Sequence, residues 1–259
     1  MSMQKHAVKR SATWGMVAAA AFLLTMGVAR PVRSQLTPCA PGMAHIPGTA
    51  QNPAGYCIDR YEASLRRVDD NRDVPWSPYL TPERATVRAV SARGVVPQGY
   101  VSQRQAAAAC SAAGKRLCAD TEWTRACRGP RVQTFGYGNQ RETGRCNENH
   151  RWHPVVQLFR ATSQVLWGHV QMNDPQLNQL PGTVALTGAH GSCSNEFGVY
   201  DMVGNLHEWT ADPNGTFRGG YYMDTTINGA GCNYVTTAHD TSYHDYSIGF
   251  RCCATAQEI

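Results

Sequence analysis

Ten cysteines are the residues best equipped to do chemistry in this chain: Cys39, Cys57, Cys110, Cys118, Cys127, Cys146, Cys193, Cys232, Cys252 and Cys253. Thiolates could bind a soft metal, attack a substrate or oxidise in pairs. Zinc sites use Cys-x2-4-Cys spacings, and the chain has none. An even, dispersed set reads instead as about five disulfides, which form in an oxidising compartment. Cys252 and Cys253 are adjacent. On a strand they point to opposite faces and need different partners. A second group carries oxygen: Asp201, Asn205 and Glu208 share one turn-rich stretch around Gly204, and hard oxygen ligands are what calcium takes. His239-Asp240 and His244-Asp245 could offer two imidazoles and a carboxylate to iron or zinc; hydrogen-bonded or solvated histidines are the plainer reading. No Ser-His-Asp spacing or phosphate loop is evident.

These residues need a scaffold, and the sequence outlines one. The chain has 259 residues, 42% hydrophobic and 17% charged, enough for one generous domain with a buried core. Residues 13–29 are nearly all apolar or small and follow Lys5, Lys9 and Arg10, which reads as a secretory signal peptide over 1–34. An uncleaved membrane anchor is the alternative, because such a run borders on spanning length. Removing 1–34 takes away Lys5, Lys9, Arg10, Arg30 and Arg33 and no acid, so the formal charge falls from +5 to zero. The electrostatic case for nucleic-acid binding goes with it. In the remainder, 35–259, two short strands are expected at 43–47 and 56–62, joined by a Gly/Pro/Asn turn. Residues 66–82 read as a loop. Ser102-Gln103-Arg104-Gln105 is a capping-box pattern opening a helix over 103–113, with Gly114 as its stop. Asp120 is placed to cap a second helix over 121–127, ended by Gly129-Pro130. Residues 131–195 show no sustained period, and the final third alternates aromatic, Gly and polar residues as short strands and turns do. The outline is one loop-rich, crosslinked domain.

Four ordered strings go further: Gly114-Lys115-Arg116-Leu117 with Thr121-Glu122-Trp123 and Ala126-Cys127-Arg128-Gly129; Gly198-Val199-Tyr200-Asp201-Met202-Val203-Gly204-Asn205-Leu206-His207-Glu208-Trp209; Arg218-Gly219-Gly220; and Gly249-Phe250-Arg251-Cys252. In this order they resemble the formylglycine-generating enzyme family, the sulfatase-modifying factors, over about residues 39–255. The resemblance implies an α+β, C-type-lectin-like fold with little regular secondary structure, stapled by disulfides. It implies a calcium site made by the side chains of Asp201 and Glu208 and the carbonyls of Gly204 and Leu206, with a weaker second site beginning at Asn147 and Glu148 and Asp174 as a further candidate ligand. It also implies the pairs Cys110–Cys252 and Cys127–Cys232. The pairs inferred for the remaining cysteines are Cys39–Cys57, Cys146–Cys193 and Cys118–Cys253. Asp59 and Glu62 match positions that are structural in the family, with Arg60 a partner for one of them. His207 is expected to pack beside Trp209.

The family's oxidation of a substrate cysteine uses two thiolates on one copper(I) ion, and soft sulfur suits that soft ion. The pair follows Arg-Gly-Gly in the family. Here Asp224 and Gly229 stand at the two thiolate positions and Tyr221 replaces a serine, so the fold transfers and copper is not expected. The expected function is an extracytoplasmic binding module for a protein, peptide or glycan. Tyr221, Tyr222, Asp224, His239 and His244 are its candidate ligand surface, since such side chains make adaptable contacts. Nucleic acid is excluded as a partner, and a membrane enters only if the N-terminal segment stays uncleaved. The alternative is an oxygen-dependent oxidoreductase of the same family with an altered metal site.

Overall fold

Tyr56-Cys57-Ile58-Asp59 is buried at every position, a pattern that belongs to a strand covered on both faces. The computed structural model describes residues 38–257 except 51, 70–71 and 161–166; the expected signal segment lies outside the described residues. In chain order the strands are β1 (Met43–Ile46), β2 (Tyr56–Asp59), β3 (Ala63–Asp69), β4 (Arg72–Pro75), β5 (Val87–Ser91), β6 (Arg116–Leu117), β7 (His207–Trp209), β8 (Phe217–Arg218), β9 (Val235–Thr236), β10 (Ile248–Phe250) and β11 (Cys252–Thr255). The helices are α1 (Gln103–Ala112), α2 (Asp120–Arg128), α3 (Pro154–Phe159) and α4 (His169–Met172). They build three small sheets ordered β1-β2-β11-β6, β10-β7-β8-β9 and β4-β3-β5. β1 and β2 are the expected antiparallel hairpin, and β11 is inserted between β2 and β6.

Both long helices start where local chemistry predicts. Ser102 Oγ accepts from the Gln105 backbone at 3.3 Å, and Gln105 Oε1 accepts from the Ser102 backbone at 2.9 Å, which closes the capping box. Gly114 then takes φ +69° just beyond α1, the left-handed turn that ends helices. α2 differs in detail. Ala119 is its N-cap, and the Ala119 N–H is satisfied by Glu122 Oε2 at 2.9 Å. Asp120 is already helical; its carboxylate is drawn away by Arg218, 2.6 Å from Oδ2.

The expected loop over 66–82 is corrected. Part of it is the hairpin β3–β4, in register from Arg66↔Pro75 to Asp69↔Arg72. Its sequence hides the strand because only Ala63 and Leu65 of β3 are fully buried. The outer half is held by cross-strand charge, with Asp73 bridging Arg66 at 2.7 Å and Arg88 at 2.5 Å. Opposite charges facing each other on neighbouring strands stabilise a sheet without apolar alternation. Residues 131–195 are largely irregular, as expected, apart from the short α3, α4 and a 3-10 turn at Leu177–Gln179.

All ten cysteines are oxidised in the five expected pairs: Cys39–Cys57, Cys110–Cys252, Cys118–Cys253, Cys127–Cys232 and Cys146–Cys193. The alternation of β11 divides the molecule. Cys253 enters one apolar cluster with Ile58, Trp123 and Val203. Cys252 enters another with Ala109, Trp209 and Phe250. One dipeptide thus staples two cores to α1 and to the segment before α2. Closing loops of 142 and 135 residues is worth roughly 4–5 kcal/mol each in the chain-entropy model. Among the described residues no helix is long and apolar enough to cross a membrane.

Candidate functional site

The stretch 198–209 is built on left-handed backbone. Asp201, Gly204 and Asn205 have φ of +56°, +81° and +59°, conformations that Gly, Asn and Asp reach most easily. At Gly204 a Cβ would stand 2.3 Å from the Asn147 carbonyl oxygen, so only glycine fits. That close approach joins the two expected calcium stretches. The Asn147 carbonyl accepts from the Asn205 N–H at 2.8 Å, and Asn147 Nδ2 donates to Asn205 Oδ1 at 2.9 Å.

The carboxylates here are committed to protein donors. Glu208, on β7, receives Arg251 Nε at 2.6 Å and Trp123 Nε1 at 2.7 Å on Oε2, and Arg251 Nη2 at 2.6 Å on Oε1. Arg251 is fully buried and spends its other donors on the carbonyls of Asp59, Arg60 and Tyr200. Asp201 Oδ2 accepts the Gly188 N–H at 2.6 Å; burial pushes its pKa up to about 6, partly offset by that bond and by Arg251. Glu62 accepts from Asn205 Nδ2 at 2.6 Å and from the Leu206 N–H at 3.1 Å. Burial, reinforced by the charges of Asp201 and Glu208, holds its pKa well above the usual range. Both oxygens of Glu208 are therefore taken by a guanidinium and an indole. Of the expected calcium ligands Asp201, Gly204, Leu206 and Glu208, Glu208 would have to give up Arg251 and Trp123 to meet an ion. At the second stretch the Glu148 carboxylate is buried, with Oε2 held by Arg141 at 2.9 Å and Thr225 at 2.7 Å and Oε1 unpartnered. Asp174 lies elsewhere, its carbonyl bonded to the Tyr100 hydroxyl at 2.8 Å. Among the described residues no three His, Cys, Asp or Glu side chains converge as metal ligands.

The segment after Arg218-Gly219-Gly220 is a chain of tight turns. A Cβ on Gly219 would lie 2.6 Å from the Met202 carbonyl oxygen, and one on Gly220 would lie 2.2 Å from that of Asp224. Asp224 caps the next turn, Oδ1 accepting from the backbones of Thr226 at 2.9 Å and Ile227 at 3.1 Å. Gly229 has φ +109°, and a Cβ there would meet the Asn233 carbonyl oxygen at 2.6 Å. Cys232 is buried in its disulfide with Cys127. Both copper positions thus hold turn-forming residues without sulfur. They do not fit copper(I).

Of the expected ligand surface, Tyr221, Asp224, His239 and His244 are half-buried. Tyr222 is a correction: it is fully buried, with its hydroxyl on Asn178 Oδ1 at 3.2 Å, and it belongs to the core. The two histidines sit in different settings. His239 stacks on Phe217 and Tyr243 at 4.9 and 4.8 Å. His244 bonds Asn173 Oδ1 at 2.7 Å and contacts the His169 ring at 5.0 Å. His207 shares Phe217 with Trp209, as its packing role anticipates, at 4.8 and 5.1 Å. It also touches Tyr221 and Tyr234 at 4.7 and 5.3 Å. Its Nδ1 has no partner, and burial pushes its pKa down to about 3. Arg60 donates to the Gly198 carbonyl at 2.9 Å. The partner of Asp59 is Lys115, at 2.5 Å. Sequence reasoning missed Arg251 and the Phe217–Tyr234 wall; the Gly-Phe-Arg string was the one available sign of the first.

A family model, the sulfatase-modifying factor enzyme 1-like domain, matches residues 20–256. The chain belongs to this FGE-sulfatase family. Among curated relatives of this sulfatase-modifying factor member, the mouse inactive C-alpha-formylglycine-generating enzyme 2 is 29% identical over 179 residues, covering 62% of this chain and 50% of the relative. The mouse formylglycine-generating enzyme is 29% identical over 117 residues, covering 45% and 27%. The chain thus spans about half the length, or less, of the curated relatives it matches. Among solved structures it is similar to PvdO from Pseudomonas aeruginosa, at 14% identity and a TM-score of 0.47, covering 82% of this chain and 90% of that one. The mixed α+β architecture with few helices and five disulfides is thus that of an FGE-sulfatase family member.

One consequence of burial in this domain is a pH dependence. His153 bonds the Tyr246 hydroxyl through Nε2 at 3.0 Å, leaves Nδ1 buried and unpartnered, and has its pKa pushed down to about 4 by burial and then by His150. The unfolded chain binds this proton near pH 6.5 and the folded chain only near 4. The stability contributed by keeping His153 neutral is therefore fully present above about pH 6.5 and is lost as the pH falls towards 4. His153→Phe is expected to flatten part of that slope in urea unfolding at pH 7 and 5; an unchanged slope would refute the assignment.

Proposed function

We propose that this domain keeps the sulfatase-modifying factor fold without copper-dependent cysteine oxidation, and that it works outside the cytoplasm as a binding module for a peptide, protein or glycan. The observation that carries the reading is the state of sulfur. All ten cysteines are in disulfides, and the two positions that hold thiolates in the family are Asp224 and Gly229. A hard carboxylate oxygen does not replace a thiolate on copper(I). Two further points support it. A relative matched over 50% of its length is called inactive. Five disulfides also belong to an oxidising compartment.

The binding face is the turn-rich segment 221–246. It presents Tyr221, Asp224, His239 and His244 half-exposed and Ile227 81% exposed, on a base fixed by the Cys127–Cys232 disulfide. Aromatic and imidazole rings with short polar side chains supply contact area at low entropic cost. The experiment is a thiol titration of the denatured, unreduced protein beside a copper(I) competition titration of the native protein against a chromogenic chelator. The expected results are no reactive thiol and no copper(I) withdrawn from the chelator. Two reactive thiols per chain, or copper(I) bound one to one, would overturn the reading.

A further inference from the structure

A cleft of about 660 Å³ lies beside α2, lined in part by Pro47, Arg125, Arg128, Val132, Phe197 and Arg218. This volume is in the range of ligand sites. Its charge is one-sided. Arg218 is neutralised by Asp120 through two bonds, but Arg125 and Arg128 have no carboxylate among the described residues. Arg125 reaches only the Gly48 carbonyl at 3.5 Å, and Arg128 meets the Asn233 amide oxygen. Spaced i and i+3 on α2, they stand on one helix face and can serve a single anion. The opposing wall is apolar. Val132 is 68% exposed with φ +55°, an uncommon conformation for a β-branched residue, and Phe197 is half-buried.

We propose that this cleft binds the free C-terminal carboxylate of a polypeptide whose last side chain is apolar. A chain end carries its carboxylate and its final side chain on the same carbon, matching arginines set directly beside an apolar wall. Guanidinium forks bind carboxylates in two-point geometry. An internal Asp or Glu offers the charge without the adjacent apolar group. The remaining volume accommodates the preceding residues, which a small aromatic acid would leave unfilled. The cleft's lining includes none of Tyr221, Asp224, His239 and His244, so the two sites are tested by separate variants.

The probe is a fluorescein-labelled decapeptide ending in Val-Phe with a free carboxylate, followed by anisotropy. Its C-terminal amide twin and 3-phenylpropionate are the competitors. Amidation is expected to weaken binding at least tenfold, and 3-phenylpropionate is expected to compete at least tenfold less well than the unlabelled peptide. Arg125→Met should reproduce the loss. Arg131→Gln removes an equal charge from a residue paired with Glu196 outside the cleft and should leave affinity unchanged. Absence of peptide binding, equal affinity of the amide, or equal affinity of 3-phenylpropionate would each overturn the proposal. So would equal losses in Arg125→Met and Arg131→Gln, which would reveal general electrostatics. The amide comparison uses the unmodified protein, so it decides even if Arg125→Met fails to fold.

Discussion

Arg251→Met will destabilise the domain by about 3–5 kcal/mol, the cost typical of removing one partner from a buried ion pair. Arg251 is 0% and Glu208 1% exposed on the side chain. Glu62 and Asp201 lie close enough for their charges to be felt. Removing the guanidinium leaves a buried carboxylate group with no compensating cation and frees the carbonyls of Asp59, Arg60 and Tyr200. The loss should appear as a lower urea midpoint at an unchanged m-value. Glu208→Gln should be comparably harmful, because it strands Arg251 and weakens the tie to Trp123. The double variant should lose much less than the sum of the single ones, since both remove the same interaction. The same geometry predicts the response to chelator. If Glu208 held calcium, a hundredfold excess of ion over its dissociation constant would contribute about 2.7 kcal/mol, and chelator would remove it. With Arg251 as the counter-charge, the melting temperature should not move. A drop of several degrees in chelator, reversed by added calcium, would show that the ion displaces Arg251 from Glu208.

Local rules carried most of the scaffold. Ser102 and Gln105 announced α1, Gly114 announced its end, and the adjacency of Cys252 and Cys253 required the two-sided stapling found at β11. Each depends on residues within a few positions of one another. The misreadings concern interactions that have no short-range period. β3 and β4 are paired by Asp73 with Arg66 and Arg88, and a charged ladder reads as loop when strands are sought by apolar alternation. Glu208 and Arg251 are 43 positions apart, so the guanidinium that serves this carboxylate has no short-range sign in the motif. The residue type of Tyr222 alone suggests a surface position. Asn178 satisfies its hydroxyl and allows full burial, as buried tyrosines require. The α2 cleft could not be read at all, since Pro47, Val132 and Phe197 reach it from separate loops.

The turn geometry also bears on the two positions that hold thiolates in the family. Asp224→Cys would remove a cap from the Thr226 and Ile227 backbones. Gly229→Cys would put a Cβ 2.6 Å from the Asn233 carbonyl oxygen at φ +109°, a conformation that costs side-chain-bearing residues of order 1–3 kcal/mol. Two substitutions therefore would not rebuild a thiolate pair on this backbone.

The most direct test of the central claim is incubation of the purified, oxidised domain with a Cys-x-Pro-x-Arg peptide, copper(I) and oxygen, read by mass spectrometry. The claim is that this fold is retained without cysteine oxidation. No product is expected above the protein-free control, because every cysteine is in a disulfide and Asp224 and Gly229 are occupied in turns. Catalytic accumulation of a peptide lighter by about 18 mass units at its cysteine, the formylglycine product expected from the family's chemistry, would contradict it.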